Sequence, residues 1–266
     1  MTTDTQADVV PGAETIDLQE GNSRGILLLH GFGDTPQTLR MLANSLHAGG
    51  YDVRAPLLPG HGRTVDAFVA SRHDEWLSCA RQELKAMQQS HETVALGGLS
   101  MGGALAAILA GERNDIPALV LMAPYIDMPV SHKLAAAFHW LWGSDNARKS
   151  NSPGSIRDPA ERAKNVGYGG YYSPRLLHEL SVLGRDARRA LHRIQSPTLI
   201  LQSRTDPRIK AAVAESAFAS VGSREKKLIW IEGAGHIITV DYGREQVFKE
   251  VREWLDSHVP NALTTA

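Results

Sequence analysis

Cysteine is nearly absent from this chain of 266 residues. Cys79 stands alone, so no internal disulfide can form, and no Cys/His spacing matches a structural zinc site. Its place in a helical stripe reads as packing rather than chemistry. Net charge is also missing: 28 Lys and Arg face 29 Asp and Glu, which leaves no overall field to draw nucleic acid, an anionic membrane or a polyanionic substrate. No apolar run approaches the roughly 20 residues of a membrane span. Met1–Thr15 lacks the basic-then-apolar pattern of a secretory signal. These absences predict a cytoplasmic protein with no transmembrane segment, acting on a small neutral or apolar molecule, with residues 1–13 as a frayed arm.

What is present is a regular alternation. "TIDLQ" reads as a half-buried strand, "GILLLH" as a fully buried one and "YDVRAPLL" as a third. Between the last two, Leu39, Leu42, Ala43 and Leu46 mark the buried face of a helix, with Asp34 or Thr35 as its cap, Pro36 in its first turn and Gly49 and Gly50 as its stop. Trp76, Ala80, Leu84 and Met87 mark a second helix. "TVALG", "ALVLMAP", "PTLILQS" and "KKLIWI" continue as strands with helices between them, and Val247, Val251, Trp254 and Leu255 lie on a last helix. Strands without polar alternation, separated by helices, predict an α/β fold: a mostly parallel sheet covered on both faces. Such a sheet binds ligands at the carboxyl ends of its strands. At this length one domain suffices, with residues 1–125 and 191–266 as its core. Residues 126–190 break the rhythm with "AAAFHWLWG", a polar Pro/Gly/Ser-rich stretch, "GYGGYYSP" and a helix around "PRLLHEL". They predict an inserted cap over the ligand end. The basic run "GRDARRALHR" reads as a solvated helix face.

The candidate chemistry begins in "ALGGLSMGG", where Gly98, Ser100 and Gly102 spell G-x-S-x-G, the sharp strand-to-helix turn that lifts a serine hydroxyl out of a sheet. Such a triplet arises by chance in roughly one chain in seven of this length and composition, so its context decides. A buried strand precedes it and a small-residue helix follows. A hydroxyl needs a base to become a nucleophile, and of eleven histidines His236 follows a late strand in the small-residue loop "IEGAGHIIT". The imidazole in turn needs an acid. Asp206, after "PTLILQS", completes the order serine, acid, histidine; Asp127, after "ALVLMAPY", is its rival, and Asp241 and Glu232 are weaker candidates. Backbone amides of Met101, at the helix start, and Phe32, in "LLLHGFGDTP", are placed to hold a developing oxyanion. His30 and His61 read as loop-shaping hydrogen-bonders.

The blocks "LLLHGFGDTP", "YDVRAPLLPGHG", "GGLSMGG", "LILQSRTDPRI" and "GAGHIITVD" together resemble the bacterial carboxylesterase and monoacylglycerol lipase family of α/β-hydrolases, over about residues 14 to 258. The resemblance implies an α/β-hydrolase fold with a small cap, Ser100, Asp206 and His236 as triad, and Phe32 and Met101 as oxyanion donors. It implies hydrolysis of an ester or lipid substrate of small or medium acyl chain, with no metal and no organic cofactor. Phe138, Trp140, Leu141 and Trp142, with Tyr168, Tyr171 and Tyr172, are candidate acyl-chain walls in the cap. The same triad also serves thioester or C–C bond hydrolysis, acyl transfer and perhydrolysis. A non-catalytic binding protein on the same scaffold is disfavoured by the complete triad set.

Overall fold

The computed structural model describes residues 8–127, 147–149, 154–168 and 170–259. Strands β1 (Ile16–Leu18) and β2 (Arg24–Leu29) lead into a 3-10 turn, Pro36–Leu39, and helix α1 (Arg40–His47). β3 (Asp52–Ala55), α2 (Val65–Ala70), α3 (His73–Ser90), β4 (Thr93–Leu99), α4 (Met101–Gly111) and β5 (Leu119–Met122) follow. Next come β6 (Arg148–Lys149), α5 (Pro159–Lys164), β7 (Tyr171–Tyr172) and α6 (Pro174–Ala190). The chain ends with β8 (Thr198–Ser203), α7 (Ala211–Ser220), β9 (Lys226–Ile231) and α8 (Arg244–His258). The main sheet runs in the order β1-β3-β2-β4-β5-β8-β9. Only β1, on the edge, is antiparallel to its neighbour.

Alternation along each central strand divides the core in two. Successive side chains point to opposite faces, so in β2 Leu27 and Leu29 join one cluster while Ile26 and Leu28 join the other. β5 repeats the division with Leu119 and Leu121 against Val120 and Met122. On the first face lie the buried stripes of α3, α4, α6 and α7; on the second lie those of α1 and α8. The sheet is therefore apolar on both faces, which is why its strands read as continuous hydrophobic runs.

Three expectations are corrected in detail. The first helix begins as a 3-10 turn, and neither Asp34 nor Thr35 caps it with a side chain: Thr35 makes no such bond, while the Asp34 carboxylate accepts from the Thr35 amide. The arm is anchored from Val10 onward, where its amide donates to Gly62 and Ala13 is fully buried. Helix α6, inside the span 126–190, packs on α4: Leu176, Leu180, Leu183, Ala187 and Ala190 share the first core cluster with it. A Cβ on Gly111 of α4 would lie 2.9 Å from that of Ala190. The 3.6-residue stripe thus makes α6 part of the layer over the sheet, and its arginines Arg185, Arg188 and Arg189 face outward as a solvated surface.

Candidate active site

Ser100 sits between the last residue of β4 and the first of α4, with φ 53° and ψ −113°. A serine adopts such a backbone only when its surroundings impose it. The flanking glycines impose it by close approach. A Cβ on Gly98 would lie 2.1 Å from the Gly102 carbonyl oxygen, and one on Gly102 would lie 2.0 Å from that of Leu29. Strand, turn and helix can thus press together only without side chains at these positions.

Although 136 residues separate them, Ser100 Oγ and His236 Nε2 stand 2.8 Å apart. Both leave the carboxyl ends of parallel strands, so the sheet delivers them to one edge. His236 Nδ1 lies 2.7 Å from Asp206 Oδ2. An ionised carboxylate only accepts, so Nδ1 carries the proton and Nε2 is left to accept from the serine hydroxyl. The Asp206 side chain is buried and would be raised by that burial. The charge and hydrogen bond of His236 and the amides of Ile209 and Arg208 outweigh it and hold the carboxyl below its ordinary value. Gln202 Nε2 donates to the same Oδ2 at 2.9 Å.

The rival acids lie elsewhere. Asp127 pairs with Arg188 at 2.6 Å and Glu232 with Arg204 at 3.4 Å, both toward solvent. Asp241 is buried and accepts from the amides of Gly235, Arg157, Asp158 and Tyr242 at 2.7 to 2.9 Å. It fastens the loop carrying His236 to residues 155–158, and the Ser155 carbonyl adds bonds from the His236 and Ile237 amides. Sequence reasoning misses this clasp because its donors are backbone amides up to 84 residues away, and amides leave no signature in a side-chain pattern.

On the opposite wall a Cβ on Gly31 would lie 3.5 Å from that of Ser100, so the loop with Phe32 runs beside the hydroxyl. Met101 is the first residue of α4, so its amide has no acceptor within the helix. His30 shapes this loop: Nε2 accepts from the Leu58 amide at 3.1 Å, which leaves Nδ1 to donate to the Gly31 carbonyl at 2.9 Å. His61 packs edge-on against His30 and Phe68, and Phe68 in turn meets Phe32 and stacks on Tyr168. Burial drives both imidazoles down, His61 to about 4, so they are neutral supports, as their sequence setting suggests.

A cavity of about 270 Å³ opens over Ser100 and His236. Ser155, Arg162, Asn165 and Arg208 also line it; the residue pattern gave no signal for them. Tyr168 donates its hydroxyl to the Arg63 carbonyl, and Tyr171 and Tyr172 pack against the first core cluster. Phe138, Trp140, Leu141 and Trp142 lie outside the described residues. Cys79 is a free, half-buried thiol on α3 that burial raises to about 11. Among the described residues no group of three or more His, Cys, Asp and Glu could hold a metal, and no helix is long and apolar enough to cross a membrane.

The seven-stranded sheet and the serine held at its carboxyl edge define an α/β-hydrolase. Residues 21–242 match the family described as serine aminopeptidase, S33, and the chain belongs to that family of serine hydrolases. It is 30% identical over 254 residues to a thermostable monoacylglycerol lipase of Bacillus sp. (strain H-257), covering 95% of this chain and 98% of that one. A carboxylesterase of Bacillus subtilis (strain 168) is 27% identical over 238 residues, covering 89% and 94%. Among solved structures, one described with the metagenome-derived lipolytic enzymes LipS and LipT superposes with a TM-score of 0.86 at 28% identity, covering 94% of this chain and all of that one. A monoacylglycerol lipase of Paleococcus ferrophilus shares the fold at a TM-score of 0.79 and 20% identity, covering 92% and 98%.

Proposed function

We propose that the protein hydrolyses carboxylic esters of small or medium-chain acyl groups, monoacylglycerols among them, through an acyl-enzyme on Ser100. The observation that carries this is the continuous hydrogen-bonded chain from Ser100 through His236 to Asp206, set in a strained turn beside a cavity. His236 Nε2 takes the hydroxyl proton as Ser100 Oγ attacks the ester carbonyl. The amides of Phe32 and Met101 hold the oxyanion, and the dipole of α4 adds to them. His236 then gives its proton to the leaving alkoxide. In the second half it takes a proton from water, which attacks the acyl-enzyme, and returns that proton to Ser100 Oγ as the acyl bond breaks and the acid leaves. The steps draw on no metal or organic cofactor. The lipase and esterase names of the relatives support ester bonds as the target. The part of the insertion ahead of α6 supplies the cover over the acyl chain in this reading, with Phe138, Trp140 and Trp142 as its walls.

The experiment is a hydrolysis panel of p-nitrophenyl esters, monoacylglycerols, acyl-thioesters and, because of the family's description, aminoacyl anilides, with Ser100→Ala as control. Esters should be turned over fastest, and a fluorophosphonate should label Ser100 stoichiometrically. Anilide or thioester turnover exceeding that of every ester, or labelling at another serine, overturns the reading.

A further inference from the structure

The cavity over Ser100 is lined by two arginines that no acid pairs with among the described residues. Arg162, on α5, lines the cavity, and its side chain runs beside Gly154, where a Cβ would lie 3.1 Å from Arg162 Cδ. Arg208 follows the turn that holds the Asp206 carboxylate, and its Nε donates to Ser155 Oγ at 3.1 Å. Neither appears in an ion pair among the described residues, although their neighbours do: Lys164 pairs with Glu161, Arg204 with Glu232 and Arg244 with Asp158. The acids nearest Arg162 in sequence are thereby engaged, and Asp158 also accepts from the first amides of α5. Among the described residues lining the cavity the carboxyl is Asp34, pushed up by burial to about 7, and the neighbouring Asp206 is spent on His236.

A single exposed arginine is an ordinary solvated cation. Two on the walls of one cavity of about 270 Å³ are different, because both line the same space as Ser100 and His236. A guanidinium presents a planar fork of donors that matches carboxylate and phosphate oxygens, and such charge-assisted bonds are the stronger ones. Resting on the ester hydrolysis proposed above, we propose that Arg162 and Arg208 select esters bearing an ionised oxyanion group, carboxylate or phosphate, a few atoms from the scissile carbonyl. The near-zero net charge of the whole chain pointed to a neutral substrate; the local charge at the site points the other way.

The test compares kcat/KM for p-nitrophenyl hemisuccinate with that for p-nitrophenyl valerate, which is similar in length and uncharged. Changing Arg162→Gln or Arg208→Gln should lower this ratio by roughly three- to tenfold each, mainly through KM. The lysine replacements should retain part of it, and added salt should compress it. Arg185→Gln, on the outer face of α6, should leave it unchanged. A third ester, p-nitrophenyl 3-phosphonopropanoate, separates the two anions: whichever charged ester depends more strongly on the arginines names the group. In Ser100→Ala, which cannot turn over, monomethyl succinate should bind more tightly than methyl valerate, and the gap should close when both arginines are glutamine. A wild type that hydrolyses no ester but keeps that binding gap overturns the esterase reading alone. Equal ratios and equal binding in wild type and double variant overturn the arginine assignment alone.

Discussion

Asp34 and His61 bury ionisable side chains around the loop of Phe32, and burial moves them in opposite directions along the pH axis. Asp34 is 5% exposed and its carboxyl is raised from 3.8 to about 7. The folded state therefore holds a proton that the unfolded chain releases earlier, and this contribution to stability is lost as pH rises from about 4 to about 7. It amounts to something on the order of 4 kcal/mol. His61 is lowered from 6.5 to about 4, so its contribution is present above about 6.5 and lost as pH falls toward 4. The two slopes offset each other across one window. Asp34→Asn should make denaturant stability rise more steeply between pH 4 and 7, and His61→Phe should flatten it; parallel curves for wild type and both variants would contradict the buried-charge account. At Asp206 the expectation is kinetic: Asp206→Asn should lower kcat by about 10³ to 10⁴ with folding intact, while Asp127→Asn keeps most of the rate. Steady-state rates beside a thermal melt check both. Ser100, Asp206 and His236 were legible because side-chain chemistry needs fixed residue types. Ser155, Arg162 and the clasp of Asp241 were not, since their roles arise from where a backbone passes.

The strand-turn-helix unit of β4 and α4 leaves no slack. A methyl on Gly102 would sit against the carbonyls of Leu29 and His30, backbone that cannot swing aside. Gly102→Ala should therefore cost both stability and turnover, whereas a glycine in open space, Gly21→Ala, pays mainly the strain of its positive φ. Comparative melts and ester rates decide. The cover proposed for residues ahead of α6 carries a different expectation: each buried methylene contributes up to about 0.8 kcal/mol, so kcat/KM should climb from acetyl to medium-chain esters and then level. Trp140→Ala or Trp142→Ala should flatten that climb and spare acetyl-ester turnover. A wild-type maximum at acetyl would remove these tryptophans from acyl-chain selection. At this scale the strands were the most legible elements: "KKLIWI" is β9 to the residue, an edge strand whose β-branched and aromatic side chains mark it even though it is only half-buried. Helix beginnings were less so. Local capping chemistry at Asp34 and Thr35 lost to a tertiary demand, the 3-10 turn that brings Asp34 to the cavity wall.

Across the whole molecule the parallel order of β4, β8 and β9 converts sequence distance into contact, and the hydrogen-bonded chain of Ser100, His236 and Asp206 exists only while the sheet is folded. The layered α/β architecture could be read from alternation alone. The place of α6 could not, because an apolar helical stripe looks the same whether it faces a cap or a sheet. The clasp between the His236 loop and residues 155–158 has one more consequence, for recombination. Were the proposed cover exchanged with that of another protein, the natural splice point would be Gly154 rather than α6, because the downstream piece carries the peptide groups that seat the histidine. A chimaera that replaces residues 128–153 should keep acetyl-ester turnover while changing preference. One that extends the exchange through Asp158 should lose rate toward every ester together. The seat of His236 is thus inherited in two fragments, and shuffling respects only one boundary between them.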